Sequence, residues 1–155
     1  MSFDQLFLDE LAVALRSVKL EAVVVGNAAS ILHGAPVLTQ DVDLLVRDTP
    51  RNRVKLTKLV DKLHGTGPVD ISELIGGKRI FLPEIYLDIL FNKMGGGISF
   101  NAAKTRSSQI SVGENSLTVA SLEDVIRSKE AVNRPKDRAA LPILRSTLAV
   151  QKLKK

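Results

Sequence analysis

The sequence predicts a mixed α+β domain in which a mixed central β-sheet is flanked by helices. Three observations carry that prediction. A β-branched run, Val23-Val24-Val25, stops at Gly26, which marks a strand closing in a tight turn. Residues 3–18 and 51–63 set apolar side chains at helical spacing among charged ones. Asp41 and Asp43 alternate with Val42 at the mouth of the apolar run Leu44-Leu45-Val46, a half-buried strand pattern. A chain of 155 residues is normally one domain, so residues 1–155 are expected to share a single core.

The elements follow in order. Phe3, Leu6, Phe7, Leu11, Val13, Ala14 and Val18 give an amphipathic helix that covers the sheet. Glu21 to Val25 is the first strand, and a short helix spans Ala28 to Leu32 before the turn Gly34-Ala35-Pro36. Asp41 to Val46 is the second strand, and Asp48-Thr49-Pro50 starts the basic helix 51–63. Residues 64–68 read as a loop, 69–75 as a strand or mixed segment, and Gly76-Gly77 as a hairpin-type turn. Strands are expected at 78–82 and 85–91. Residues 93–107, with their triple glycine, read as a mobile loop beside the site, a candidate lid. A hairpin follows at 109–112 and 116–120. Ser121 caps a helix reaching about Ala131, and Pro135 opens a second one that Pro142 is expected to bend or break. The lysine-rich end, Lys152 to Lys155, is expected to fray.

The chemistry concentrates between Val23 and Val46. Asp41 and Asp43 point to the same face, and two neighbouring carboxylates repel unless a cation sits between them. Mg²⁺ takes hard oxygen ligands and leaves positions for substrate phosphates, so the pair points to phosphate chemistry. Gly26 lets the backbone come close to a phosphate, and the following helix start offers free N–H groups. Asp88 repeats the pattern as a lone carboxylate in an apolar strand, where burial without a partner is costly; it is the natural third acid.

The run Gly26-Asn27-Ala28, then His33-Gly34, Thr39 and Asp41-Val42-Asp43, resembles the nucleotidyltransferase superfamily of DNA polymerase β-like folds. It is most similar to the small prokaryotic members that include the AbiEii-type toxin nucleotidyltransferases, and the likeness covers about three fifths of the chain. The resemblance implies a nucleotidyltransferase fold with C-terminal helices packed back on the sheet. It implies Asp41, Asp43 and Asp88 as catalytic and metal residues, with Mg²⁺ (or Mn²⁺) as cofactor and a nucleoside triphosphate, ATP included, as substrate. Gly26 and Asn27 would meet the β and γ phosphates; the family usually has Gly or Ser at Asn27, whose amide can still donate. Ser30 would be a second polar contact, although a small packing residue is the preferred reading.

The tail SLEDVIRSKEAVNRPKDRAALPIL is also similar to that branch, which adds Lys129, Lys136 and Asp137 to the nucleotide-binding set. Asp137 reads equally well as a helix-start acid stabilised by the helix dipole. For toxin-like relatives the acceptor would be tRNA or a protein, and a cognate antitoxin would be the partner. The alternative is a catalytically weak member of the fold that binds nucleotide or a regulatory partner. A metal-dependent nuclease also uses clustered carboxylates, but the glycine turn before Asp-x-Asp favours a triphosphate.

Composition narrows the setting. Cysteine is absent, so disulfides, thiolate metal sites and cysteine nucleophiles are excluded. No apolar run approaches the ~20 residues of a membrane helix, and the acidic amphipathic start is unlike a secretory leader; a soluble cytoplasmic protein is expected. The formal charge of +5 suits nucleotides or RNA as partners, or a lysine-rich solvated surface. With 4% aromatic residues, base-stacking platforms are not expected. The basic face of the helix 51–63 is read as a solvated face before a nucleic-acid surface. His33 is read as a hydrogen-bonded structural residue and His64 as a loop residue; neither belongs to a zinc pattern.

Overall fold

Residues 5–74 and 76–154 of the computed structural model are described here. Phe3, Ile75 and Lys155, which figure in the expected helix, strand and frayed end, lie outside them. The first helix, α1, runs Gln5–Val18 and buries Leu8, Leu11, Ala12, Ala14, Leu15 and Val18. Strand β1 is Val23–Val25, two residues shorter at its start than expected, and α2 follows at once as Gly26–Leu32. Strand β2 is Asp41–Val46. Helix α3, Pro50–Lys62, is capped by the Thr49 hydroxyl, which accepts from the Asn52 N–H at 3.0 Å, with Pro50 at its start.

The next segment departs from expectation. Strand β3 is Thr66–Val69, where a loop was predicted, while residues 70–77 form the connection to β4, Lys78–Phe81. Gly67 and Pro68 read as loop residues, yet β3 is a sheet edge paired only with β4, the place where such residues are tolerated. Strand β5 is Tyr86–Phe91.

The expected mobile loop is built structure. It comprises β6 (Lys93–Met94), a 3₁₀ turn at Gly95–Gly97, β7 (Ile98–Ser99) and α4 (Phe100–Thr105). Gly95 serves close packing, and Gly96 and Gly97 take positive φ in the turn. A Cβ on Gly95 would stand 2.5 Å from Ser128 Oγ, so the turn lies flat on the helix that carries Ser128. The segment leaves β5 at the end paired with Val46, whereas Asp41 sits at the other end of β2. It is therefore not a lid over the acids.

Strands β8 (Ser108–Val112) and β9 (Asn115–Val119) form the expected hairpin. Helix α5 is Leu122–Val132 and α6 is Pro135–Leu153. Helix α6 continues through Pro142 rather than breaking there. The hydrogen bond that proline removes is to the Arg138 carbonyl, and both residues are exposed, so water satisfies that oxygen.

Seven strands form one mixed sheet in the order β3-β4-β5-β2-β1-β9-β8, with β6 and β7 as a separate pair. Its centre is apolar throughout: Val23, Val24, Val42, Leu44, Leu45, Val46, Leu87, Ile89 and Val119 are all fully buried. Helix α1 packs on α3 and β9, while α2 packs on β1, β2 and α5, and α5 on α6. The C-terminal helices thus pack back on the sheet through α2. Among the described residues, no helix is long and apolar enough to cross a membrane.

Candidate active site

Strand register brings the acids together. Parallel pairing of β2 with β5 sets Asp43 beside Asp88 and Asp41 beside Tyr86. Antiparallel pairing of β4 with β5 then sets Arg79 beside Asp88. One row across three strands therefore reads Asp43, Asp88, Arg79. One carboxylate oxygen from each of Asp41, Asp43 and Asp88 lies within 4.8 Å of the others.

The three acids are compensated unequally. Asp88 is buried, and Arg79 grips it with both arms of its fork, Nε to Oδ1 at 2.7 Å and Nη2 to Oδ2 at 3.0 Å. The Arg79 guanidinium also stacks 4.4 Å over the Tyr86 ring. Asp41 has only a local turn: the Thr39 hydroxyl lies 3.0 Å from its carbonyl and 3.3 Å from Oδ1, and its own N–H donates to Thr39 Oγ1 at 3.2 Å. Neither Asp41 nor Asp43 has an ion pair within 4 Å among the described residues. Burial drives the Asp43 carboxyl up from 3.8 to about 7, and the charges of Asp41 and Asp88 push the same way against Lys129 and Lys136.

Gly26 closes β1 directly against this cluster. Its φ is +66°, and a Cβ there would come within 2.5 Å of Asp43 Oδ2. Glycine is therefore required twice over, for the backbone angle and for the space. Asn27 follows, and its side-chain Oδ1 is buried without a hydrogen-bond partner among the described residues. Ser30 faces inward: it is fully buried, and its hydroxyl donates to the Gly26 carbonyl at 3.3 Å, bracing the turn from behind.

The C-terminal helices contribute the cations. Lys129 is buried on α5 with Nζ 3.5 Å from Asp137 Oδ1. Burial lowers the Lys129 pKa, which Asp137 partly offsets. Asp137 is fully buried at the start of α6 and accepts from the Arg134 N–H at 3.0 Å and from Arg134 Nε at 2.8 Å. Burial acts to raise its pKa, but Arg134 and Lys129 together hold it below the usual carboxylate range. So Asp137 is both the helix-start acid and the anchor for two cations. Lys136 is exposed and, like Lys129, close enough to Asp43 to act on its charge. Arg134 feels Asp43 and Asp41 as well.

Two of these residues escape the sequence reading: Arg79 and Arg134. The first had a signal, since pairing 78–82 with 85–91 around Pro83-Glu84 places Arg79 opposite Asp88. The second sits one residue before Pro135, within the stretch 133–137 that reads as the cap of the last helix. His33 takes the structural role expected of it: Nε2 lies 2.8 Å from the Ala120 carbonyl and Nδ1 3.0 Å from the Gln151 amide. It ties α2 to the end of β9 and to α6.

The donor set fits a hard divalent ion. Neighbouring oxygens on an octahedral Mg²⁺ lie about 3.0 Å apart and opposite ones about 4.2 Å, so three oxygens already within 4.8 Å of one another would draw together around the ion. The Arg79 fork leaves Asp88 other lone pairs, since a carboxylate offers about four. The cost of holding Asp43 ionised beside two acids falls away when a cation sits among them.

No family model matches the chain, and no curated protein matches it. Solved structures do. The chain is similar to the antibiotic-resistance factor ANT(2'')-Ia in its solution structure, with TM-score 0.68 and 14% identity over 97% of this chain and 86% of that one. The crystal structure of ANT(2'')-Ia in complex with adenylyl-2''-tobramycin gives TM-score 0.63 at 15% identity, over 97% and 92%. A candidate nucleotidyltransferase from Thermotoga maritima gives TM-score 0.65 at 16% identity, over 88% of each chain. At this identity the likeness is one of fold. With its seven-stranded mixed sheet, its glycine turn and its strand-borne acids in register, the chain has the nucleotidyltransferase fold.

Proposed function

We propose that the protein transfers a nucleoside monophosphate from a nucleoside triphosphate to a hydroxyl on an acceptor, releasing pyrophosphate. The carrying observation is the convergence of Asp41, Asp43 and Asp88 within 4.8 Å, unrelieved at Asp41 and Asp43 by any protein cation within ion-pair distance among the described residues. These carboxylates would hold a divalent ion such as Mg²⁺ or Mn²⁺, which when bound would supply neutralisation of triphosphate charge and Lewis-acid polarisation. Gly26 admits the main chain to the phosphates, and the Asn27 amide donates to them; Ser30 supports that turn. Lys129, Lys136 and Arg134 draw negative charge off the leaving pyrophosphate, with Asp137 fixing the positions of Lys129 and Arg134. Arg79 holds Asp88 against β2. The acceptor oxygen bonds to the α-phosphorus as the bond to the α–β bridging oxygen breaks. Pyrophosphate carries off that electron pair, and the hydroxyl proton passes to a free lone pair of Asp88.

The fold neighbour solved with adenylyl-2''-tobramycin supports ATP as donor and a small-molecule hydroxyl as one acceptor class. A tRNA or protein acceptor, and a cognate antitoxin, are the alternatives that the AbiEii resemblance supplies. Calorimetric titration of each nucleoside triphosphate with Mg²⁺ tests the reading. Metal-dependent binding by the wild type, lost in Asp41→Ala/Asp43→Ala, is expected. Absence of binding at millimolar nucleotide would overturn it.

A further inference from the structure

One large groove of the molecule lies apart from the acids. A groove of about 1080 Å³ runs between the C-terminal end of α1 and the length of α3, and it shares no lining residue with the acid cluster or its cations. Its lining carries Lys19 from the end of α1 and Arg51, Lys55, Lys58 and Lys62 from α3, against one carboxylate, Asp61. Those five cations and one anion leave four positive charges in the groove, set against +5 for the whole chain.

Positions 51, 55, 58 and 62 fall on one helix stripe, where like charges at i,i+4 oppose each other. Several cations elsewhere are neutralised: Arg47 and Lys104 share Glu21, Arg145 pairs with Glu130, and Arg53, on another face of α3, pairs with Asp48. Exposed Lys93, Lys136 and Lys152 have no carboxylate partner among the described residues, but they do not form a stripe. None of the five groove cations has a carboxylate partner among the described residues. Lys55 instead donates to the Lys19 carbonyl at 2.7 Å, bridging the two walls. The stripe is thus concave, spaced and unrelieved, which is how an anionic chain is received rather than how a solvated face is built.

We propose that this groove binds single-stranded RNA by its phosphate backbone. A concave channel between two helices suits a flexible strand better than a flat lipid surface or a rigid duplex. Scarce aromatics mean that bases are not read by stacking, so recognition falls on phosphate and sugar. Asp61 and the Ser17 hydroxyl are acceptors set among the cations, matching the 2′-hydroxyl donor that separates RNA from DNA.

The test is fluorescence anisotropy of a labelled uridine 12-mer with the full chain, titrated in EDTA at several salt concentrations. EDTA keeps metal-dependent binding at the acid site out of the readout, so failure of the transferase reading leaves this result untouched. About four phosphates neutralised predict a log–log salt slope near −3, at roughly −0.7 per phosphate. Arg51→Gln/Lys58→Gln/Lys62→Gln should weaken binding at least ~30-fold at low salt and bring the slope to about −1. A charge-matched control, Lys93→Gln/Arg145→Gln/Lys152→Gln, should change it less than ~3-fold. Asp61→Ala, which removes the acceptor, should reduce the preference over the matching DNA. Wild-type affinity in the stripe variant, equal loss in the control, or equal binding of RNA and DNA would each overturn the proposal. So would binding to anionic lipid vesicles but not to RNA.

Discussion

Two groups of acids in this molecule are handled in opposite ways. At the start of α5, Asp124 is fully buried and closed off by protein: Arg106 Nε reaches its two oxygens at 3.1 and 3.0 Å, Arg127 pairs with it, and its N–H donates to the capping Ser121 hydroxyl at 3.1 Å. At the mouth of β2, Asp41 and Asp43 face each other and Asp88, and no cation within ion-pair distance among the described residues answers the first two. A buried charge that the fold satisfies is architecture. A charge cluster that the fold leaves open costs stability, and it persists where something outside the chain completes it.

That contrast sets the largest expected effects, of opposite sign. Asp124→Ala should destabilise the protein by about 3 kcal/mol, the low end for breaking a buried pair, because Arg106 and Arg127 are half exposed and can turn to water. Asp43→Asn should instead stabilise the metal-free protein at pH 8. Raising a carboxyl from 3.8 to about 7 corresponds to a ceiling of about 4 kcal/mol, and partial exposure brings the expected gain to roughly 2 kcal/mol. The sign follows from linkage. Below about 7 the folded protein keeps a proton on Asp43 that the unfolded chain holds only below 3.8. Stability of the metal-free wild type should therefore rise as pH falls from about 7 toward 5. Urea denaturation across that range checks it. Saturating Mg²⁺ should flatten the wild-type profile, and the Asp43→Asn variant should show a flat profile without metal. A wild-type profile already flat without metal would erase the distinction between the two acid groups.

Arg79 sharpens the comparison, because it makes Asp88 resemble Asp124 while leaving it inside the open cluster. Arg79→Ala strands Asp88 beside two other carboxylates and should cost about 3 kcal/mol at pH 8. Added Mg²⁺ should restore part of that loss, whereas it should restore nothing in Asp124→Ala. Thermal melts of both variants with and without the ion separate the cases. Equal response to Mg²⁺ would place Asp88 with the structural acids.

How much of this was legible depends on the range over which each feature is determined. Gly26, Asp41 and Asp43 lie within one local strand–turn–strand pattern, and that pattern is written in consecutive residues. Asp88 could be named as an acid in an apolar strand, but its place beside Asp43 comes from a parallel β2–β5 pairing between segments far apart in the chain, which no local pattern encodes. Arg79 was missed although a local hairpin sets it opposite Asp88, and Arg134 because its nearness to Asp43 and Asp41 comes from helix packing. The triple glycine at 95–97 misled because glycine permits motion and close packing alike, and only the approach of Ser128 tells them apart. The edge strand Thr66–Val69 was hidden by Gly67 and Pro68, whose low strand propensity an edge position overrides.

Asn27 offers the smallest effect and the finest division between the two kinds of polar group. Its Oδ1 is buried with no donor among the described residues, so the side chain costs the folded state something that Asp124, fully partnered, does not. Asn27→Ser replaces the amide by a hydroxyl that can turn toward solvent or back onto the α2 backbone. If Oδ1 is idle and the serine hydroxyl takes over the donation to phosphate, the variant should gain about 1 kcal/mol in urea denaturation and bind nucleotide as before. If Oδ1 is the acceptor for a donor on the bound nucleotide, the same gain in the free protein should be matched by a several-fold loss of affinity in calorimetry. The affinity change therefore assigns Asn27 to the wall or to the ligand, and the stability gain, common to both outcomes, reports that its oxygen goes unsatisfied in the free protein.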